Sequence, residues 1–98
     1  MIYLVLYDIS NDRIRTKVAK SLIAEGFERI QLSVFLGTVN PKENIKLWNE
    51  LQKWLSAEPH SKLLLLPLTK NNFRKMLILG DFFPDIDYLT GNKHSLFI

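Results

Sequence analysis

Asp8 is the residue best placed to do chemistry. It ends the apolar run Met1 to Tyr7, M-I-Y-L-V-L-Y, and opens the segment Asp8-Ile9-Ser10-Asn11-Asp12-Arg13-Ile14-Arg15. A short apolar run without alternation predicts a strand buried on both faces, and a carboxylate at its end is held rigidly beside the core. This segment mixes acids and bases within one turn of chain, where a divalent cation and a phosphate can meet. Tyr7 can hold a water or a phosphate oxygen, although a strand-end tyrosine more commonly packs with its hydroxyl at the rim. Ser10, Asn11 and Asp12 suit a turn and a helix cap, with Asp12 at most a secondary metal contact. Arg13, Lys17 and Lys20 recur at i, i+4 and i+7, with Arg15 beside them, and Arg29 follows. Together they can form a basic surface for a phosphate backbone, whereas a charged stripe alone is ordinarily a solvated helix face. Asp81, Asp85 and Asp87 lack calcium-loop spacing and read as solubilising a greasy tail.

Composition removes several chemistries. The chain has no cysteine, which excludes disulfides and thiolate zinc sites, and its two histidines, His60 and His94, are far apart in sequence. That argues against a histidine metal site or a Ser-His-Asp triad. No apolar stretch reaches the length of a membrane span, and the N-terminus lacks the pattern of a signal peptide, so the expected compartment is the cytoplasm and no membrane partner is expected. The net charge of +3 permits a polyanionic partner without requiring one. Ninety-eight residues suit one domain with a modest margin of stability, which a partner subunit would raise.

The elements that must position Asp8 follow from periodicity. Residues 2–8 read as a strand and residues 12–25 as a helix with Ile14, Val18, Ala19, Leu22 and Ile23 on one face, capped by Asn11 or Asp12 and stopped by Gly26. By pattern alone, residues 27–39 form one long half-buried strand. Asn40-Pro41-Lys42-Glu43 predicts the start of a second helix, with a wide apolar face through Trp48, Leu51 and Leu55. Residues 62–68 read as a strand apolar on both faces, with Pro67 limiting pairing on one side. Lys70-Asn71-Asn72 reads as a turn, and Lys75 to Leu79 as a short strand closed by Gly80. This order predicts one sheet with both helices on one face. The other face then needs a cover, for which a second copy of the chain is the economical choice.

Tyr7-Asp8-Ile9 ahead of the first helix, then Arg29-Ile30-Gln31-Leu32-Ser33-Val34-Phe35 and Gly37, resembles the second CRISPR-associated protein family, small proteins of the spacer-acquisition machinery. The likeness extends over nearly the whole chain in length and element order. It implies an α+β, ferredoxin-like β-α-β-β-α-β domain over residues 1–80. It also implies a break of the long extended region near Leu32-Ser33, and a further strand near residues 75–80, at Met76 to Leu79, exchanged across a homodimer. The tail 81–98 departs from the family pattern in its length and aromatic content, and is expected to dock on the dimer or on the CRISPR integrase subunit.

The resemblance also assigns roles. It implies that Asp8 is catalytic and faces its twin near the dimer axis, holding magnesium or manganese. Two carboxylates a few ångströms apart repel by roughly 3–4 kcal/mol at an effective dielectric near 20, which a cation relieves. It implies nucleic-acid binding by Arg15, Lys17 and Arg29, with Arg13 alongside. Where the family often has arginine, Lys17 keeps the charge and loses the fork. Tyr7, Ser10, Gln31 and Ser33 are supporting candidates, and Phe35 either stacks on a base or packs at the dimer interface. Three readings follow. The first is a metal-dependent endonuclease of CRISPR adaptation and antiviral defence, cleaving RNA or DNA without strong sequence choice. The second is a non-catalytic dimeric scaffold that bridges integrase subunits and grips duplex DNA. The third and weaker is a VapD-type ribonuclease toxin, which shares the fold.

Overall fold

The computed structural model describes residues 1–80; the tail 81–98 and its predicted docking lie outside the described residues. Strands β1 (Ile2–Asp8), β2 (Glu28–Gln31), β3 (Val34–Gly37) and β4 (Lys62–Leu68) form one sheet in the order β2-β3-β1-β4. Every neighbouring pair is antiparallel. Helices α1 (Asp12–Ala24) and α2 (Ile45–Ser56) are the long crossovers. This is the ferredoxin-like α+β arrangement expected.

Local chemistry explains the element ends. Asn11 caps α1, its side chain accepting from the Ile14 amide at 3.0 Å. At the other end Gly26 adopts φ 90°, and the amides of Gly26 and Phe27 donate back to the carbonyls of Ile23 and Leu22, both at 3.0 Å. That pair of bonds satisfies two orphan carbonyls, and its left-handed residue suits glycine. Val18, Ala19 and Leu22 of α1 and Leu47 and Leu51 of α2 are buried against Val5, Tyr7 and Phe35 of the sheet. Phe27 lies directly over Gly37, where an added Cβ would sit 2.6 Å from the ring.

The structure corrects four expectations from pattern. Residues 27–39 are not one strand: the chain turns at Leu32-Ser33, where the resemblance placed the break. No glycine or proline marks this turn because its fasteners are distant in sequence. The Tyr7 amide donates to the Ser33 carbonyl at 3.1 Å, and the Tyr7 hydroxyl donates to the Leu32 carbonyl at 3.3 Å. Secondly, Asn40-Pro41 caps only a 3-10 turn, Pro41–Glu43, and Asn44, in an extended conformation, caps α2 afresh by accepting from the Leu47 amide at 3.1 Å. Thirdly, the predicted turn at residues 70–72 is a short helix, α3 (Lys70–Arg74), capped by Thr69. Fourthly, the short strand predicted over residues 75–79 is not formed: among the described residues that segment has no ladder partner.

The sheet's second face is half covered from within. Phe73 of α3 is buried against Ile2 and Leu36, with Leu4, Leu68 and Met76 packed around them. Beyond them the described residues leave the face open: Leu64 is 65% and Leu66 48% exposed, on the edge strand β4. Leu77 and Leu79, which follow α3, are almost wholly exposed.

Candidate functional site

Asp8 stands exposed as the last residue of β1, on the sheet face away from α1 and α2. It lines an open groove of about 260 Å³ with Leu6, Tyr7, Ser33, Val34, Lys62 and Leu64. The position follows from alternation. Tyr3, Val5 and Tyr7 face the helices, so Leu6 and Asp8 face the opposite side, beside the uncovered leucines. The β1–β4 register sets Asp8 directly opposite Lys62 and Leu6 opposite Leu64. Lys62 was not singled out from the sequence. A signal existed: two seven-residue apolar strands, one ending in an acid and one beginning with a base, place those charges together when paired antiparallel.

Tyr7 is buried on the helix side. Its ring stacks on Phe35 with centroids 5.9 Å apart and planes at 23°. Burial pushes the phenol above its ordinary value, against the opposing pull of the Arg29 and Arg15 charges. The hydroxyl therefore remains a donor to the Leu32 carbonyl at neutral pH. Arg29 reinforces the same point: its Nε and Nη2 donate to the Leu32 carbonyl at 3.1 and 2.6 Å, and its guanidinium lies 5.4 Å from the centre of the Phe35 ring. Phe35 is fully buried, so its ring is packing within the subunit. Ser33, held by this lock, borders the Asp8 groove.

The basic residues lie elsewhere. Arg15, Lys20 and Arg29 line a separate groove between α1 and β2, together with Thr16, Ala19 and Ile23. Arg15 is tied to the loop before its own helix, donating to the carbonyls of Ile9 at 3.0 Å and Ser10 at 3.3 Å and pairing with Asp12. Ser10 thus contributes its carbonyl to a latch. Arg13 is exposed and Lys17 half-buried; neither makes a hydrogen bond or ion pair among the described residues. Gln31 borders residues 76–79 rather than Asp8. Of the sequence candidates, Asp8, Tyr7 and Ser33 come together at one groove, Arg15 and Arg29 at another.

Oxygen donors suited to a hard cation are present at the first groove, in the Asp8 carboxylate and Ser33, but the described residues bring few of them. Among the described residues no three His, Cys, Asp or Glu side chains are grouped for a metal. No described helix is long and apolar enough to cross a membrane.

Comparison with known proteins bears on the family and the fold. A family model described as CRISPR associated protein Cas2 matches residues 1–76. A protein of Pyrobaculum aerophilum named CRISPR-associated endoribonuclease Cas2 2 is 56% identical over 61 residues, 59% of this chain and 67% of that protein. One of Archaeoglobus fulgidus, named CRISPR-associated endoribonuclease Cas2 1, is 35% identical over 81 residues, covering 83% of this chain and 85% of that one. The crystal structure of Streptococcus pyogenes Cas2 at pH 6.5 superposes with a TM-score of 0.65 at 28% identity, covering 82% of this chain and all of that one.

Proposed function

Because the chain belongs to the CRISPR-associated Cas2 family, we propose that it acts in CRISPR adaptation as a homodimer whose two Asp8 side chains form one metal-dependent phosphodiesterase site. The observation that carries this reading is an exposed carboxylate at the end of a buried strand, bordering an apolar sheet face that the described residues leave open. A second copy seated on Leu64 and Leu66 would cover that face and bring a second Asp8 toward the first. One or two carboxylates suffice for magnesium, which keeps several waters.

Magnesium or manganese, when bound, would supply an acidified water and positive charge at the phosphoryl oxygens. The chain's own part is positional. Asp8 would hold the cation from a strand end paired on one side with β4. Ser33, kept in place through Tyr7 and Arg29, offers a hydroxyl to a phosphate oxygen. The relatives' name as endoribonucleases makes single-stranded RNA the first substrate to try, with duplex DNA beside it. Wild type and Asp8→Asn would be incubated with each, in magnesium and in chelator. Cleavage confined to wild type in magnesium supports the reading; equal cleavage in every arm refutes it.

One observation favours the scaffold reading. Arg15 and Lys20 of α1, with Arg29, line a groove apart from Asp8, so a duplex can be gripped without reaching the carboxylate. Spacer integration by a reconstituted complex carrying Asp8→Asn decides between them: survival of integration assigns the biological role to the scaffold.

A further inference from the structure

Beside a bound divalent ion, a phosphodiester in the Asp8 groove would need a basic side chain to hold it, and Arg15, Lys20 and Arg29 line another groove. Lys62 supplies one. It is the first residue of β4, exposed, and directly opposite Asp8 in the ladder. Residues so paired project from the same face with their Cβ atoms about 4.5–5.5 Å apart. Both line the one groove, and among the described residues Lys62 is its only basic one. Despite that proximity the two form no ion pair. The ammonium is therefore available to an anion in the groove, and its flexible stem can reach past the carboxylate.

We propose that Lys62 is a substrate-binding residue of the Asp8 site, holding a non-bridging oxygen of the phosphodiester that lies beside Asp8. The inference rests on the nuclease reading above and adds a residue to it. An edge-strand lysine can instead serve only to discourage strand addition. The two roles differ in what they do to substrate affinity and its salt dependence.

The test uses the full chain with Lys62→Ala, Lys62→Arg and, as a control cation outside the groove, Lys70→Ala. Steady-state cleavage of a single-stranded RNA in magnesium is measured for each. Binding of the same RNA is measured in the Asp8→Asn background across a salt series. Loss of a charge-assisted phosphate contact predicts a rise of KM by about tenfold or more for Lys62→Ala, with a smaller change in kcat. The slope of log affinity against log salt should fall by about 0.7. Lys62→Arg should recover most of both, and Lys70→Ala should match wild type. Wild-type KM and salt slope in Lys62→Ala, while Asp8→Asn is inactive, overturn the proposal and leave the nuclease reading standing. If wild type itself cleaves nothing, the nuclease reading falls. The binding series then still decides the Lys62 contact: an unchanged slope overturns it, and a reduced slope upholds it.

Discussion

Removing the Arg29 guanidinium should loosen the Leu32-Ser33 turn by an amount the contacts allow to be worked out. Two of its nitrogens donate to one carbonyl, at 2.6 and 3.1 Å, from an exposed side chain. A hydrogen bond from a charged donor contributes about 1.5 kcal/mol at the lower end of its range, where exposure places it. The contact with the Phe35 ring adds about 0.5–1 kcal/mol. Arg29→Ala should therefore cost about 2 kcal/mol, or roughly 10 °C in Tm for a chain this size. Tyr7→Phe removes the third donor to that oxygen and should cost about 1 kcal/mol. Since the three donors share one acceptor, the double variant should lose about 0.5 kcal/mol more than the sum. Urea unfolding of the four proteins, at one protein concentration because a dimer would make stability concentration-dependent, reads the cycle. Strict additivity, or an Arg29→Ala protein as stable as wild type, would refute the lock as the reason the strand breaks there.

Other outcomes follow from the same structure. Gly37→Ala drives a methyl into the Phe27 ring and should cost about 1–3 kcal/mol by overpacking, seen as a lower urea midpoint with unchanged m-value. Asn44→Ala removes the cap of α2 and should cost about 1 kcal/mol, whereas Asn40→Ala, which caps only the 3-10 turn, should cost less. Because burial raises the Tyr7 phenol in the folded state, its contribution is fully present below the unfolded value near 10 and is lost as pH climbs through the higher folded value. The stability gap between wild type and Tyr7→Phe should thus be flat from about pH 6 to 9 and change only in strong alkali. Leu64→Lys should convert the proposed dimer to a folded monomer in sedimentation. A persistent dimer would place the interface elsewhere.

What could be read from the sequence tracks how local the determinants are. β1, α1 and β4 carry their own patterns, and Asn11 and Gly26 mark the ends of α1 within a few residues of the contacts they make. The Leu32-Ser33 turn was invisible to periodicity because a hydroxyl and an amide 25 or so residues upstream hold it. The resemblance located it instead. α2 begins later than Asn40-Pro41 suggests because Asn44 interrupts and caps again. α3 was hidden by its shortness, and the burial of Phe73 under the sheet, with the Thr69 cap, explains why that segment coils. At the site, Asp8 was legible as an acid closing an apolar strand. Lys62 was not, since its neighbour is set by register across 54 positions of chain. Arg15 and Arg29 looked alike as phosphate binders, yet both also serve backbone carbonyls of their own subunit.

Mixed dimers test most directly whether two Asp8 side chains make one site. Wild-type and Asp8→Asn chains would be unfolded together in equal amounts, refolded, and assayed for RNA cleavage in magnesium. If each site needs both carboxylates, random pairing leaves about a quarter of the wild-type activity. Retention of about half would show that each copy acts alone, and contradict the shared site.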